Sequence, residues 1–323
     1  MTIETRQLGS RGPKVSRIGL GCAPFGNLFE EVSDEDVQQT VDAAWNGGVR
    51  FFDTAPLYGH GLSEIRLGHA LAKYPREQYV LASKVGRLLR EPIGELSPTI
   101  FKNVPNLEPI FDFSRGAILA SIDESLNRLQ TDYLDVVHVH DPDDHEQWAM
   151  AESFPTLIEL RQEGVIKAVG CGMNQSESLT RFVQQIDLDC LLLAGRYTVL
   201  DNKSGTALLE LCANRNIGVV LGGIFNSGLL ADPGKNKTFD YVAAPVKLIE
   251  RAEALAVLAE SHGTSLPHVA VQFGLRNEHV SCVVIGARSP QEIQQDLYYA
   301  ENIVPESFWE GLSFLTQPPA SPV

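Results

Sequence analysis

The chain has 323 residues, 44% of them hydrophobic and 21% charged, which is the composition of an ordinary globular protein. No apolar run approaches the ~20 residues of a membrane span, and a formal net charge of −15 without a long basic run excludes a general nucleic-acid binder. The five cysteines (Cys22, Cys171, Cys190, Cys212 and Cys282) are odd in number and lack CxxC spacing, so neither a disulfide framework nor a metal site is expected.

The opening "MTIETRQLGS" mixes charges and has no apolar core, so it is not a secretory leader, and a cytoplasmic location with reduced thiols is expected. "RQLGSRGPKVSRIG" reads as two short strands around a Gly/Pro turn, a hairpin suited to plugging one end of a barrel. A strand "RIGLG" (17–21) follows, then a helix over 33–48 with Ser33 as N-cap, an acidic first turn and closing glycines. "VRFFD" (49–53) and "YVLASK" (79–84) are the next strands, and between them "FFDTAPLYGHGLSEIRLGHAL" (51–71) runs from strand to amphipathic helix. Residues 86–113 are too long and too Pro-rich for an ordinary connection and read as a functional loop. A helix over 114–130 then carries Ile118, Ile122, Leu126 and Leu129 on one stripe behind the cap Ser114. The remaining strands are "DVVHVH" (135–140), "IKAVG" (166–170), "CLLLA" (190–194), "GVVLG" (218–222) and "CVVIG" (282–286), with a second long loop over 223–247. The helix at 307–314, "SFWEGLSF", carries aromatics that pack on the barrel or on a partner, and the tail 316–323 is expected to be flexible.

Length alone would allow two domains, but eight strands alternating with helices predict one α/β domain over 1–323, a closed (β/α)8 TIM barrel rather than a doubly wound sheet. Both long loops follow strands and would overhang the C-terminal mouth, where barrel chemistry is built.

Polar residues at strand ends therefore carry the functional reading. Asp53, Lys84 and His140 end strands two, three and four, and Tyr58 lies on the loop after Asp53. Taken singly, each has a bland alternative: a turn-capping Asp, a solvated Lys, a core His such as His138, a packing Tyr. Together they suit proton transfer. A phenol with an ordinary pKa of about 10 is a poor proton carrier at neutral pH; a nearby ammonium would lower that value, and a carboxylate would hold the ammonium. An imidazole would orient the substrate oxygen. The group contains no hydride donor, so a cofactor is expected.

"GVRFFDTAPLYGHGLSEIRLG", "YVLASKVG", "DYLDVVHVHDPD" and "VVIGARSPQEIQQDL" together resemble the aldo-keto reductase superfamily, from about residue 5 to about residue 300. The resemblance implies a catalytic tetrad at Asp53, Tyr58, Lys84 and His140, with NAD(P) bound at the mouth without a Rossmann domain. It implies cofactor contacts at Gly21, Cys22 and Asp53, at Asn174, at the pyrophosphate-loop positions Asn226, Ser227, Gly228 and Leu229, and at Gly286, Arg288 and Glu292. Where many relatives have a Ser-Asn pair, "GCGMNQ" offers Gly172 and Asn174. Where relatives stack a Tyr on the nicotinamide, this chain has Gly222, so either Phe225 substitutes or the stack is absent. Glu292 stands where NADPH-preferring members commonly place a basic residue, which favours NAD; Arg288 is the one cation in the segment able to hold the extra phosphate of NADP.

"YGHGLSE", "KVGRLLR", "FDFSRGAILASIDESLNRLQ" and "HVHDPD" resemble a branch of sugar 1-dehydrogenases, acting on L-fucose, D-threo-aldoses or galactose, and pyridoxal 4-dehydrogenase. That resemblance implies oxidation of a cyclic hemiacetal to its lactone, with Tyr58, His140 and Asp141 at the substrate together with loop 86–113. The expected partner is thus a small molecule, neither nucleic acid nor membrane. Two rivals stand beside this reading: an NADPH-dependent aldehyde or ketone reductase of broad specificity, and a cofactor-sensing subunit without activity.

Overall fold

Eight apolar runs pair edge to edge in one closed parallel sheet: β1 (Ile18–Gly21), β2 (Phe51–Asp53), β3 (Val80–Val85), β4 (Val136–His140), β5 (Ala168–Met173), β6 (Cys190–Ala194), β7 (Gly218–Gly222) and β8 (Val280–Gly286). The order around the ring is chain order, and β8 bonds back to β1 through Gly286 opposite Gly21. This is the (β/α)8 barrel that the alternating pattern predicts. The computed structural model describes residues 3–315, so the tail 316–323 lies outside it.

Strand alternation divides the core in two. Outward side chains such as Val137, Val139, Leu191 and Leu221 pack under the helices, whereas Phe51, Ala82, Val136, Leu192 and Val284 fill the barrel interior. The helices begin where the caps predict: Ser33 accepts from the Asp36 amide ahead of Asp34–Asn46, and Ser114 from the Ala117 amide ahead of Arg115–Leu129. Ile118, Ile122 and Leu129 are buried as their stripe requires, with Leu126 packed alongside.

Thr5–Gln7 and Lys14–Ser16 form the antiparallel hairpin, and the adjoining Leu8 and Val15 are fully buried in the interior cluster at the N-terminal end. Both long loops hold more order than their composition implies. Arg87–Arg90 pairs with Glu108–Phe111, and Thr238–Phe239 pairs with Val242–Ala243, so each loop carries a short ribbon over the mouth. The last helix, Glu306–Leu315, buries Phe308 among Leu255, Ala259 and Val304, so Phe308 and the adjoining Trp309 pack on the barrel's own helices. Among the described residues no helix is long and apolar enough to cross a membrane.

Candidate active site

β2, β3 and β4 are neighbours in the sheet, and their inward-facing ends bring the strand-end residues together. Lys84 donates to Asp53 Oδ2 at 2.6 Å and to the Thr54 carbonyl at 2.8 Å, and both charged side chains are almost fully buried. Burial pushes the Asp53 carboxyl up, and the Lys84 ammonium pulls against it. Lys84 Nζ lies 4.7 Å from the centre of the Tyr58 ring. The Tyr58 and His140 rings meet edge to face at 5.8 Å. The structure thus gathers all four residues of the proposed tetrad at one point of the mouth.

Tyr58 is held there by backbone contact. Gly59 has φ of 61°, and a Cβ on it would lie 2.4 Å from the Gly26 carbonyl oxygen; a Cβ on Gly26 would lie 2.5 Å from the Gly59 nitrogen. The loops after β1 and β2 can pack this closely only with glycine on both sides. Beneath them Glu64 is fully buried, accepting from Ser83 Oγ and from Arg128 Nε, each at 2.6 Å. This pair braces the β3 end that carries Lys84. The sequence signal for it is a carboxylate on the buried face of the helix Leu62–Leu71.

The electrostatics correct one expectation. Burial, followed by the Asp53 charge, holds the Tyr58 phenol well above its ordinary value. The resting phenol is therefore protonated, rather than lowered by the lysine. His140 is shifted the opposite way: burial and the Lys84 charge hold it well below its ordinary value, so the imidazole is neutral. Its neighbour Asp141 places Oδ2 3.6 Å from His140 Nε2 and accepts from Arg87 at 2.8 Å.

On the opposite side of the mouth the inward positions are nearly bare. Gly21, Ala194, Gly222 and Gly286 end β1, β6, β7 and β8, Gly172 is the last residue but one of β5, and a Cβ on Gly21, Gly172 or Gly222 would point at Val284, Leu192 or Lys84 inside the barrel. Side-chain atoms near this floor lack partners: Asp53 Oδ1, Gln175 Oε1 and Asn226 Oδ1 are buried without a hydrogen bond. A flat cradle beside the tetrad, edged by unpaired amide oxygens, fits a nicotinamide ring and its carboxamide.

The other expected cofactor residues divide. Asn174 stands partly exposed at the end of β5. Asn226, Ser227 and Gly228 have left-handed φ values of 45°, 58° and 95°, and the Asn226 and Gly228 amides donate to the Gly223 and Phe225 carbonyls within the turn. Asn226 Nδ2 is bound to the Gly195 carbonyl, and Ser227 Oγ accepts from the Tyr241 amide. Tyr241 in turn lies 6.0 Å from Phe29, so the loops after β1 and β7 meet. Cys22 and Leu229 present no exposed side chain, so a cofactor contact at either would run through the backbone. The Cys22 thiol is fully buried in the shell core, its amide donates to the Asp53 carbonyl and its carbonyl accepts from Ser63. The Leu229 side chain is likewise buried among apolar residues, and Phe225 packs between the same clusters rather than standing over Gly222. Arg288 Nε lies 2.9 Å from Glu30, while Glu292 accepts from the Arg288 amide at 2.7 Å and donates its own amide to Ser289, capping Pro290–Glu301. No group of three or more metal-ligating side chains converges among the described residues.

Residues 17–312 match the Aldo/keto reductase family. The chain is 39% identical to a D-threo-aldose 1-dehydrogenase of Pseudomonas sp over 94% of each chain. It is 38% identical to a pyridoxal 4-dehydrogenase of Microbacterium luteolum over 96% of each. Against an L-galactose dehydrogenase of Arabidopsis thaliana it is 31% identical, covering 91% of this chain and 87% of that one. Among solved structures, an aldo-keto reductase from Bacillus halodurans in its holo form overlays with a TM-score of 0.78 at 24% identity, covering 98% of this chain and 97% of the other.

Proposed function

Because this chain belongs to the aldo/keto reductase family, oxidoreductases that use a nicotinamide cofactor, we propose that it oxidises a cyclic hemiacetal, an aldose or pyridoxal, to its lactone with NAD. The observation that carries the reading is the buried Lys84–Asp53 pair beside Tyr58 and His140, facing a floor of glycines. The named activities of the two relatives near 40% identity support the substrate class.

Asp53, Asn174, the turn at 226–228, Gly286 and Arg288 would hold the cofactor beside the glycine floor, and oxidised nicotinamide there would supply the hydride acceptor and a positive charge favouring the Tyr58 phenolate. Once its own proton has passed to solvent, the Tyr58 phenolate would take the proton of the anomeric hydroxyl. Neutral His140 holds the same oxygen by one hydrogen bond, fixing which face of the sugar carbon is presented. Lys84, held by Asp53, lies beside the ring where its charge would favour the phenolate. Phe101, whose ring centre is 6.3 Å from that of Tyr58, and the ribbon Arg87–Arg90 with Glu108–Phe111 shield the reacting centre from water.

The acidic setting of Arg288 supports NAD over NADP. Its guanidinium is paired with Glu30 and flanked by Glu292 at 4.0 Å, so a 2′-phosphate would meet two carboxylates. The five free, buried thiols support the cytoplasmic reading. The deciding experiment is NADH formation at 340 nm with NAD or NADP and a panel of L-fucose, D-arabinose, L- and D-galactose and pyridoxal. Reduction of NAD by a panel member is expected. Silence across the panel, with NADPH-dependent reduction of simple aldehydes instead, would replace the proposal by the reductase alternative.

A further inference from the structure

Asp141 follows His140 directly and adopts φ of 44°, a conformation that costs a side-chain-bearing residue energy and that a plain turn would assign to glycine. Its amide is tied to the Gly172 carbonyl at 3.0 Å. The bend aims the carboxylate back at the mouth, 3.6 Å from His140 Nε2. Arg87, three residues beyond Lys84, donates to the same carboxylate oxygen at 2.8 Å and lies 4.3 Å over the Phe111 ring. Its Nε is buried and has no hydrogen-bond partner. A guanidinium and a carboxylate, each with capacity left over, thus stand beside the imidazole that holds the reacting oxygen.

We infer that the Arg87–Asp141 pair is the substrate-recognition element, and that it binds the hydroxyl on the carbon next to the reacting one; this rests on the hemiacetal-oxidation reading above. Neighbouring oxygens of a sugar lie about one hydrogen-bond length apart, and the Asp141 carboxylate stands only slightly farther than that from His140 Nε2. Asp141 accepts a hydrogen bond from that hydroxyl while Arg87 donates one to its oxygen. A substrate without the hydroxyl leaves the buried Arg87 Nε without a partner, the situation in which sites discriminate most strongly. The Phe101 ring, beside that of Tyr58, offers an apolar surface to the C–H side of a sugar ring.

The test compares an aldose with its 2-deoxy analogue in NAD reduction, and glycolaldehyde with acetaldehyde in NADH oxidation, for the wild type, Arg87→Met, Arg87→Lys and Asp141→Asn. The wild type is expected to favour each hydroxylated partner by at least about 100-fold in kcat/KM. Arg87→Met and Asp141→Asn bring both ratios to within a few-fold of one, and Arg87→Lys restores part of the preference. Melting temperature and NADH binding confirm that each variant is folded and loaded. Ratios in the variants equal to the wild type's would overturn the assignment and leave the pair a structural tie. If the wild type oxidises no hemiacetal, the parent reading fails, and the glycolaldehyde ratio still decides the role of the pair.

Discussion

Tyr58 shows how much of this site depends on single side chains. Its phenol is protonated at rest, so oxidation must first remove that proton, and the rate with NAD is expected to climb from pH 7 to pH 10 as the phenolate population grows. Tyr58→Phe is expected to lower kcat about 1000-fold while the Kd for NADH changes only a few-fold. A flat pH profile in the wild type, or full turnover in the variant, would end the proton-transfer role. At the adenosine end, Glu292→Arg replaces a carboxylate beside Arg288 with a second cation. The ratio of kcat/KM values for NAD and NADP should move at least about tenfold toward NADP, and an unchanged ratio would mean that the phosphate lies elsewhere.

At the scale of elements, glycines and buried carboxylates set the positions of the chemical groups. Gly26 and Gly59 let two loops touch, and Glu64 with Arg128 ties the helix Leu62–Leu71 and the helix Arg115–Leu129 to the strand carrying Lys84. The helix Pro290–Glu301 packs on Asp34–Asn46 and buries Asp296, whose carboxyl is pushed up to about 8, first by burial and then by Glu292. The folded pKa exceeds the unfolded value of about 4, so the folded state prefers the protonated acid. Its contribution to stability is complete below pH 4 and is lost as pH rises through 8. Asp296→Asn, which imitates the protonated form, should therefore melt higher than the wild type at pH 8.5. The advantage should shrink steadily toward pH 4; equal melting curves at both pH values would show that Asp296 finds compensation in the folded state.

For the whole molecule, the barrel separates a stability end from a chemical end. The N-terminal end is closed by the hairpin residues Leu8 and Val15, and by Asp135 and Asp189, buried carboxylates that accept from backbone amides of adjacent strands and from Arg76, Arg11 and Arg161. Leu8→Ala should leave a cavity there and cost about 3 kcal/mol in denaturant unfolding, with NADH binding at the far end unchanged. A loss below about 1 kcal/mol would mean that the hairpin settles into the gap. The eight strands were legible because each is a short apolar run bounded by polar turns, and Ser33 and Ser114 marked helix starts by the same local logic. The ribbons in 86–113 and 223–247 were not legible: "RLLR" and "EPIF" become partners only when a fold brings them together across the mouth.

The sequence by itself determined the barrel and pointed to three strand-end groups and a loop tyrosine at its mouth, because period, turn chemistry and position along a strand are local properties that need no neighbour to be read. Only the tertiary structure decided the state of those groups. Tyr58 is a protonated phenol, His140 a neutral imidazole and Arg288 a cation already paired because of burial and of charges brought from distant segments. Electrostatic energy depends on separation in space and on the exclusion of water, and the linear order of residues specifies neither.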